Sequence, residues 1–136
     1  MSKFILFFFF LFIYITGNAQ ELPPISTYTK KDYKAENQNW AISQAENKFI
    51  YVANNKGLLE FNGAKWQLYA TPNESIMRSV KSYKNKIYTG FHMDFGFWQK
   101  NDFGFLDYTS VVKNENVQML EDEQIWEIFE LDGWMI

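Results

Sequence analysis

The triplet Asp-Phe-Gly occurs twice, at Asp94–Gly96 and Asp102–Gly104. In protein kinases this triplet places a carboxylate on magnesium, but a kinase also needs a Gly-rich loop, a strand lysine and an H-R-D catalytic loop. None of these is present. The eight-residue spacing predicts instead that the triplets lie on facing strands of one hairpin. Gly96 and Gly104 would then permit close backbone approach or a bulge. Asp94, Asp102 and Asp107 do not follow the D-x-[DN]-x-[DN]-G spacing of a calcium loop, so no metal is expected. His92 is the single histidine, with neither a cysteine nor a G-x-S-x-G elbow to serve. No catalytic residue and no cofactor is expected, and the chain reads as non-enzymatic. Glu121-Asp122-Glu123 reads as a solvated acidic loop. Trp40, Trp66, Trp98, Trp126 and Trp134 recur at strand positions. Such rings can stack on sugars, but filling the space between sheets is the favoured reading.

These residues sit in a chain that begins with a leader. Lys3 precedes a twelve-residue apolar run, Phe4 to Ile15, and Gly17 and Ala19 occupy the −3 and −1 positions of a cleavage between Ala19 and Gln20. That layout predicts an exported protein with a signal peptide over 1–19. The run is shorter than the roughly 20 apolar residues that a bilayer core demands. Removing nineteen of 136 residues leaves 117, with twelve lysines and arginines against sixteen acids. Such a balance excludes tracking a phosphate backbone, so no nucleic-acid partner is expected. With no cysteine there is no disulfide staple, and stability must come from a core. Residues 20–38, with Pro23 and Pro24, read as an extended entry segment.

From Asn39 the chain reads as short strands broken by turn residues. Trp40–Gln44, Phe49–Ala53, Leu58–Phe61 and Lys65–Tyr69 form a first set, with Asn62-Gly63 as a hairpin signal. Met77–Tyr83, Lys86–Gly90, Asp94–Gln99 and Asp102–Tyr108 form a second. A third begins at Gln124–Leu131 and continues past Asp132-Gly133 into "WMI". Ser110–Trp126 suits a long loop, and no stretch presents a convincing helix.

"IYVANNKGLLEFNGAKW" from Ile50 and "IYTGFHMDFGFWQKNDF" from Ile87 are two versions of one phrase, the second stretched by "HMD". Ile42 corresponds to Val80, 38 residues on, and Val80 to Ile128, a further 48 on. Four strands every forty or so residues are the signature of β-propeller blades. An up-and-down meander or sandwich is the plainer alternative. The expected fold is all-β, a partial propeller over 39–136, with blades at 39–70 and 76–109 and the start of a third at 123–136. Asn54, Asn55, His92 and Asp94 fall in blade loops, which ring the mouth of a propeller channel. They are the weak candidates for contacting a ligand. About three or more repeats are needed for stability. The chain therefore reads as the N-terminal part of a longer product that would aggregate or stay partly unfolded alone.

Ile50 to Gly63 resembles the repeat of the two-component-regulator propeller family: an aliphatic-aromatic pair, a small residue, a polar pair, Gly-Leu, then an aromatic and Asn-Gly. "PPISTYTKKDYKAENQNWAI" resembles the entry into that family's first blade. The resemblance implies a periplasmic sensor region of a Gram-negative signalling protein. It implies a triple-tyrosine sandwich, one membrane span and a LuxR-type helix-turn-helix or histidine-kinase output downstream, none of them in this chain. It leaves the ligand unnamed, a glycan among the options, and allows a homodimer of the full-length product in the inner membrane. The alternatives are an exported scaffold or carbohydrate-binding module without cytoplasmic output and, more remotely, a propeller hydrolase or lyase.

Overall fold

The structure, a computed structural model, describes residues 22–136. The leader, with its cleavage between Ala19 and Gln20, lies outside the described residues. The fold is mostly antiparallel β. Strands β1 (Asn39–Gln44), β2 (Ile50–Asn54), β3 (Gly57–Phe61) and β4 (Trp66–Tyr69) pair in sequence order as sheet one. Strands β5 (Met77–Tyr83), β6 (Lys86–Phe91), β7 (Asp94–Lys100) and β8 (Leu106–Ser110) do the same as sheet two. A lone hairpin of β9 (Glu130–Leu131) and β10 (Trp134–Met135) follows. Among the described residues no helix is long and apolar enough to cross a membrane.

The turns set these registers. Asp132 and Gly133 both take positive φ, +50° and +86°, the requirement of a two-residue hairpin loop that follows the strand twist. Asn62-Gly63 works differently from expectation. Only Gly63 has positive φ, and the Asn62 side chain instead accepts from the Ala64 and Lys65 amides at 3.0 and 2.8 Å, a local turn that closes a four-residue loop.

Four further expectations need correction. The second phrase contains no insertion. Ile50 pairs with Phe61, Ile87 pairs with Trp98, and each hairpin turns through two residues, Asn55-Lys56 and His92-Met93. Aligning on glycine rather than on strand register produced the apparent stretch. The two Asp-Phe-Gly triplets do not face each other. Gly96 pairs with Thr89 and Ser110, while Asp102–Gly104 lies in the turn before β8. That turn is fastened by Asn101, whose side chain accepts from the amides of Phe103 and Phe105. Of Gln124–Leu131 only Glu130–Leu131 is strand, with an isolated bridge from Gln124 to His92. Two one-turn helices also occur, α1 (Lys30–Tyr33) in the entry segment and α2 (Val111–Asn114), the latter capped by the Ser110 hydroxyl accepting from the Lys113 amide.

Side-chain alternation explains how the layers stack. The front of sheet one carries Tyr51, Ala53 and Leu58, and these pack on Val80, Ile87, Phe91, Trp98 and Leu106 of sheet two. The back of sheet one carries Val52, Leu59 and Trp66, covered by Tyr33 and Ala35 of the entry segment. Tyr28 adds its ring against Phe61 and Trp66. The register makes Tyr51 equivalent to Tyr88 and Ala53 to Gly90, so the sheet-two face that meets sheet one corresponds to the back of sheet one. The front of sheet two receives the next segment. Ile125 lies on Gly90, and the Ser79 hydroxyl donates to the Ile125 carbonyl at 3.0 Å. Front therefore meets back at each step, a heterologous, repeating contact rather than a two-fold one.

Candidate functional site

Strands β1 and β5 open with a β-bulge at the same place in each sheet. Asn39 and Ala41 pair with the adjacent Asn54 and Ala53, which leaves Trp40 as the extra residue. Met77 and Ser79 pair with Phe91 and Gly90, which leaves Arg78 extra. A bulge re-aims the side chain it releases. Here it brings the two side chains together, with the Arg78 guanidinium 4.0 Å from the centre of the Trp40 ring. From the other side the Trp126 ring stands 4.7 Å away. The two indoles meet edge-on at 6.0 Å and 76°. Residues 40, 78 and 126 hold one position in the repeat, since the offsets of 38 and 48 that relate Ile42, Val80 and Ile128 also relate them.

Below this stack a groove of about 420 Å³ runs between the first strands of the repeats, lined by Trp40, Ile42, Val80, Lys81, Trp126 and Phe129 among others. The Trp40 ring is fixed, because its Nε1 donates to the Asn55 Oδ1 at 2.8 Å. The Trp126 ring is 60% exposed and sits on a segment outside any strand. Arg78 Nε and Nη1 are buried without a hydrogen-bond acceptor. Among the described residues no carboxylate forms an ion pair with Arg78. The cation is held by ring faces rather than by a counter-charge.

The residues singled out in the sequence lie at this same end, with different duties. Asn55 anchors Trp40. His92 follows β6, with its Nδ1 2.8 Å from the Gln124 amide nitrogen and 3.7 Å from Asp122. A neutral ring accepts from Gln124 at Nδ1, whereas a proton on Nδ1 turns that atom toward Asp122. The His92 carbonyl accepts from Asn73. Asn54 has no exposed surface. Its amide nitrogen lies 2.8 Å from the Glu36 carbonyl, 3.0 Å from that of Gln38 and 2.7 Å from Asn39 Oδ1, and its oxygen accepts from the Glu36 and Lys56 amides. Asn54 is a clip for the entry segment. Asp94 is buried and accepts from the Ser110 hydroxyl at 2.6 Å. Burial, followed by the charge of Asp94, pushes the neighbouring Tyr108 phenol well above its ordinary value. Among the described residues no three His, Asp or Glu side chains gather as metal ligands; Asp107 instead accepts from Asn101.

A second cleft of about 510 Å³ opens at the opposite end of the sheets, beside Tyr51, Lys84 and Lys100. Its charges are already matched. The Glu60 carboxylate accepts from the Tyr51 hydroxyl at 2.9 Å and pairs with Lys100 at 3.3 Å. Arg78 was not singled out in the sequence. The signal that finds it is the repeat offset applied to Trp40. No family model matches this chain, and neither a curated protein nor a solved structure matches it.

Proposed function

We propose that this chain is the first part of a β-propeller sensor region that is exported to the periplasm and takes part in signal transduction to transcription. In this reading sheets one and two are blades, Gln124–Ile136 starts a third, and the groove below Trp40, Arg78 and Trp126 is the rim of the channel where a ligand is met. The observation that supports it is the front-to-back packing. A sandwich pairs two inner faces and stops, whereas each unit here offers the next the face that it received from the one before. Such contacts propagate, and a constant rotation per unit closes them into a ring. The chain carries no reaction of its own in this proposal. Its role is to engage a ligand at the rim and so bias the arrangement of blades and of whatever is attached to them.

The test is transcriptional. In the host, growth on a panel of glycans should induce a gene set that fails to respond once this gene is deleted in frame. Identical expression in the two strains across the panel contradicts the proposal.

A further inference from the structure

Arg78 is the one arginine of the chain, whose other twelve basic residues are all lysines. Its place is unusual for a guanidinium. Arginines that staple a fold do so by forking onto a carboxylate or onto carbonyls. This one is clasped on both sides by indoles, and Nε and Nη1 are buried with no acceptor. A bulge spends a residue of β5 to put it there. Leaving donors of a charged group unpaired in a buried place costs free energy, and the cost is relieved when an acceptor arrives. A lysine would supply the charge but neither the planar stacking surface nor the fork.

We infer that Arg78 is a carboxylate-recognition point: a small ligand bearing a carboxylate is received by its guanidinium, with Trp40 as the fixed wall and Trp126 as the wall that yields. The asymmetry of the two rings sets the side of entry. Trp40 stands in a strand and is tied to Asn55. Trp126 is the more exposed, the farther from the guanidinium, and outside any strand. Movement of Trp126 uncovers the orphaned donors, and its indole then lies against whatever carries the carboxylate. The groove beneath it, walled by Ile42, Val80 and Phe129, takes the uncharged remainder of the ligand. Lys81 adds a second positive charge to that lining, opposed by Glu127. This deepens the proposed sensing role and rests on it. The same chemistry is offered by a uronic acid and by a peptide C-terminus.

The test is a tryptophan-fluorescence titration of the full chain with galacturonate and galactose in one arm. The other arm uses an acetylated dialanine with a free C-terminus and its C-terminal amide. One carboxylate-bearing probe should give a saturable change and bind at least about tenfold more tightly than its uncharged counterpart, since a charge-assisted hydrogen bond carries at least that discrimination. The arm that responds identifies the source. R78Q should weaken that probe by a similar factor, with an unchanged urea midpoint showing that the fold survives. W126F should remove most of the fluorescence change while binding persists by NMR. Equal affinity for the charged and uncharged members of a pair, or R78Q binding like the natural chain, overturns the carboxylate assignment yet leaves a ligand-binding rim. The absence of any saturable response overturns the assignment, whereas failure of the sensing reading shows separately as an unaltered transcriptional response on gene deletion.

Discussion

Asn54 sits in a sequence of turn-formers, Asn54-Asn55-Lys56-Gly57, and its type suggests a loop residue open to a ligand. Its burial reassigns it. One amide side chain satisfies backbone groups of Glu36, Gln38 and Lys56 together, so Asn54→Ala leaves several buried polar groups without partners. Loss of about 1–3 kcal/mol in urea unfolding is expected, with protease sensitivity appearing over residues 22–38. An unchanged midpoint would contradict the clip. The buried phenols give a second expectation at this scale. Burial raises Tyr51, Tyr69 and Tyr108, and the carboxylates Glu60 and Asp94 add to it. Raised phenols favour the protonated form in the fold, so the folded chain holds protons that the unfolded chain releases near an ordinary value of about 10. Their contribution is complete below that value and is lost as pH climbs through the folded values. Urea midpoints should therefore be level from neutral pH to about 9 and fall steeply above 10. A flat profile through the phenol range would contradict the burial of all three.

Strands were legible because runs such as Phe49–Ala53 and Lys86–Gly90 are dense in β-formers and bounded by turn residues. Register was less legible. Gly57 and Gly96 look like the same glycine of a repeat, yet Gly57 opens β3 while Gly96 lies two positions further into β7. They answer different needs. Gly57 adopts φ +132° with the Tyr69 carbonyl where a Cβ would stand, and Gly96 lies against the Thr109 carbonyl and the Tyr108 ring. Gly57→Ala is thus strained as well as crowded, and at least about 1–3 kcal/mol of stability should go with it, measured by chemical unfolding. A loss within error of zero would mean that β3 and β4 do not meet as described. The start of β8 was misplaced because "DFGFLDY" is apolar enough for a strand, while the Asn101 side chain binds the Phe103 and Phe105 amides into a turn first. The third unit was overextended for a related reason. Gln124–Phe129 has strand composition, but among the described residues only the bridge to His92 pairs its backbone before Phe129 meets Ile136. Arg78 escaped notice because single-residue motifs are sought by type, and its meaning lies in its repeat position and in the bulge that turns it out.

At the scale of the whole molecule the layers run in chain order: entry segment, sheet one, sheet two, then the β9–β10 hairpin with the segment before it. Each contact joins unlike faces, and the first and last layers present apolar groups to solvent. Ile42 is 70% exposed on the back of sheet one, and Trp134 is 75% exposed on the hairpin. In the proposed ring these surfaces are where further blades dock, and the stack of Trp40, Arg78 and Trp126 is one arc of the rim. The sequence of the gene beyond the Ile136 codon tests this most directly. The proposal predicts further four-stranded units about forty residues apart, followed by a membrane-spanning segment and an output domain. A locus that encodes no further repeat and no span would contradict it.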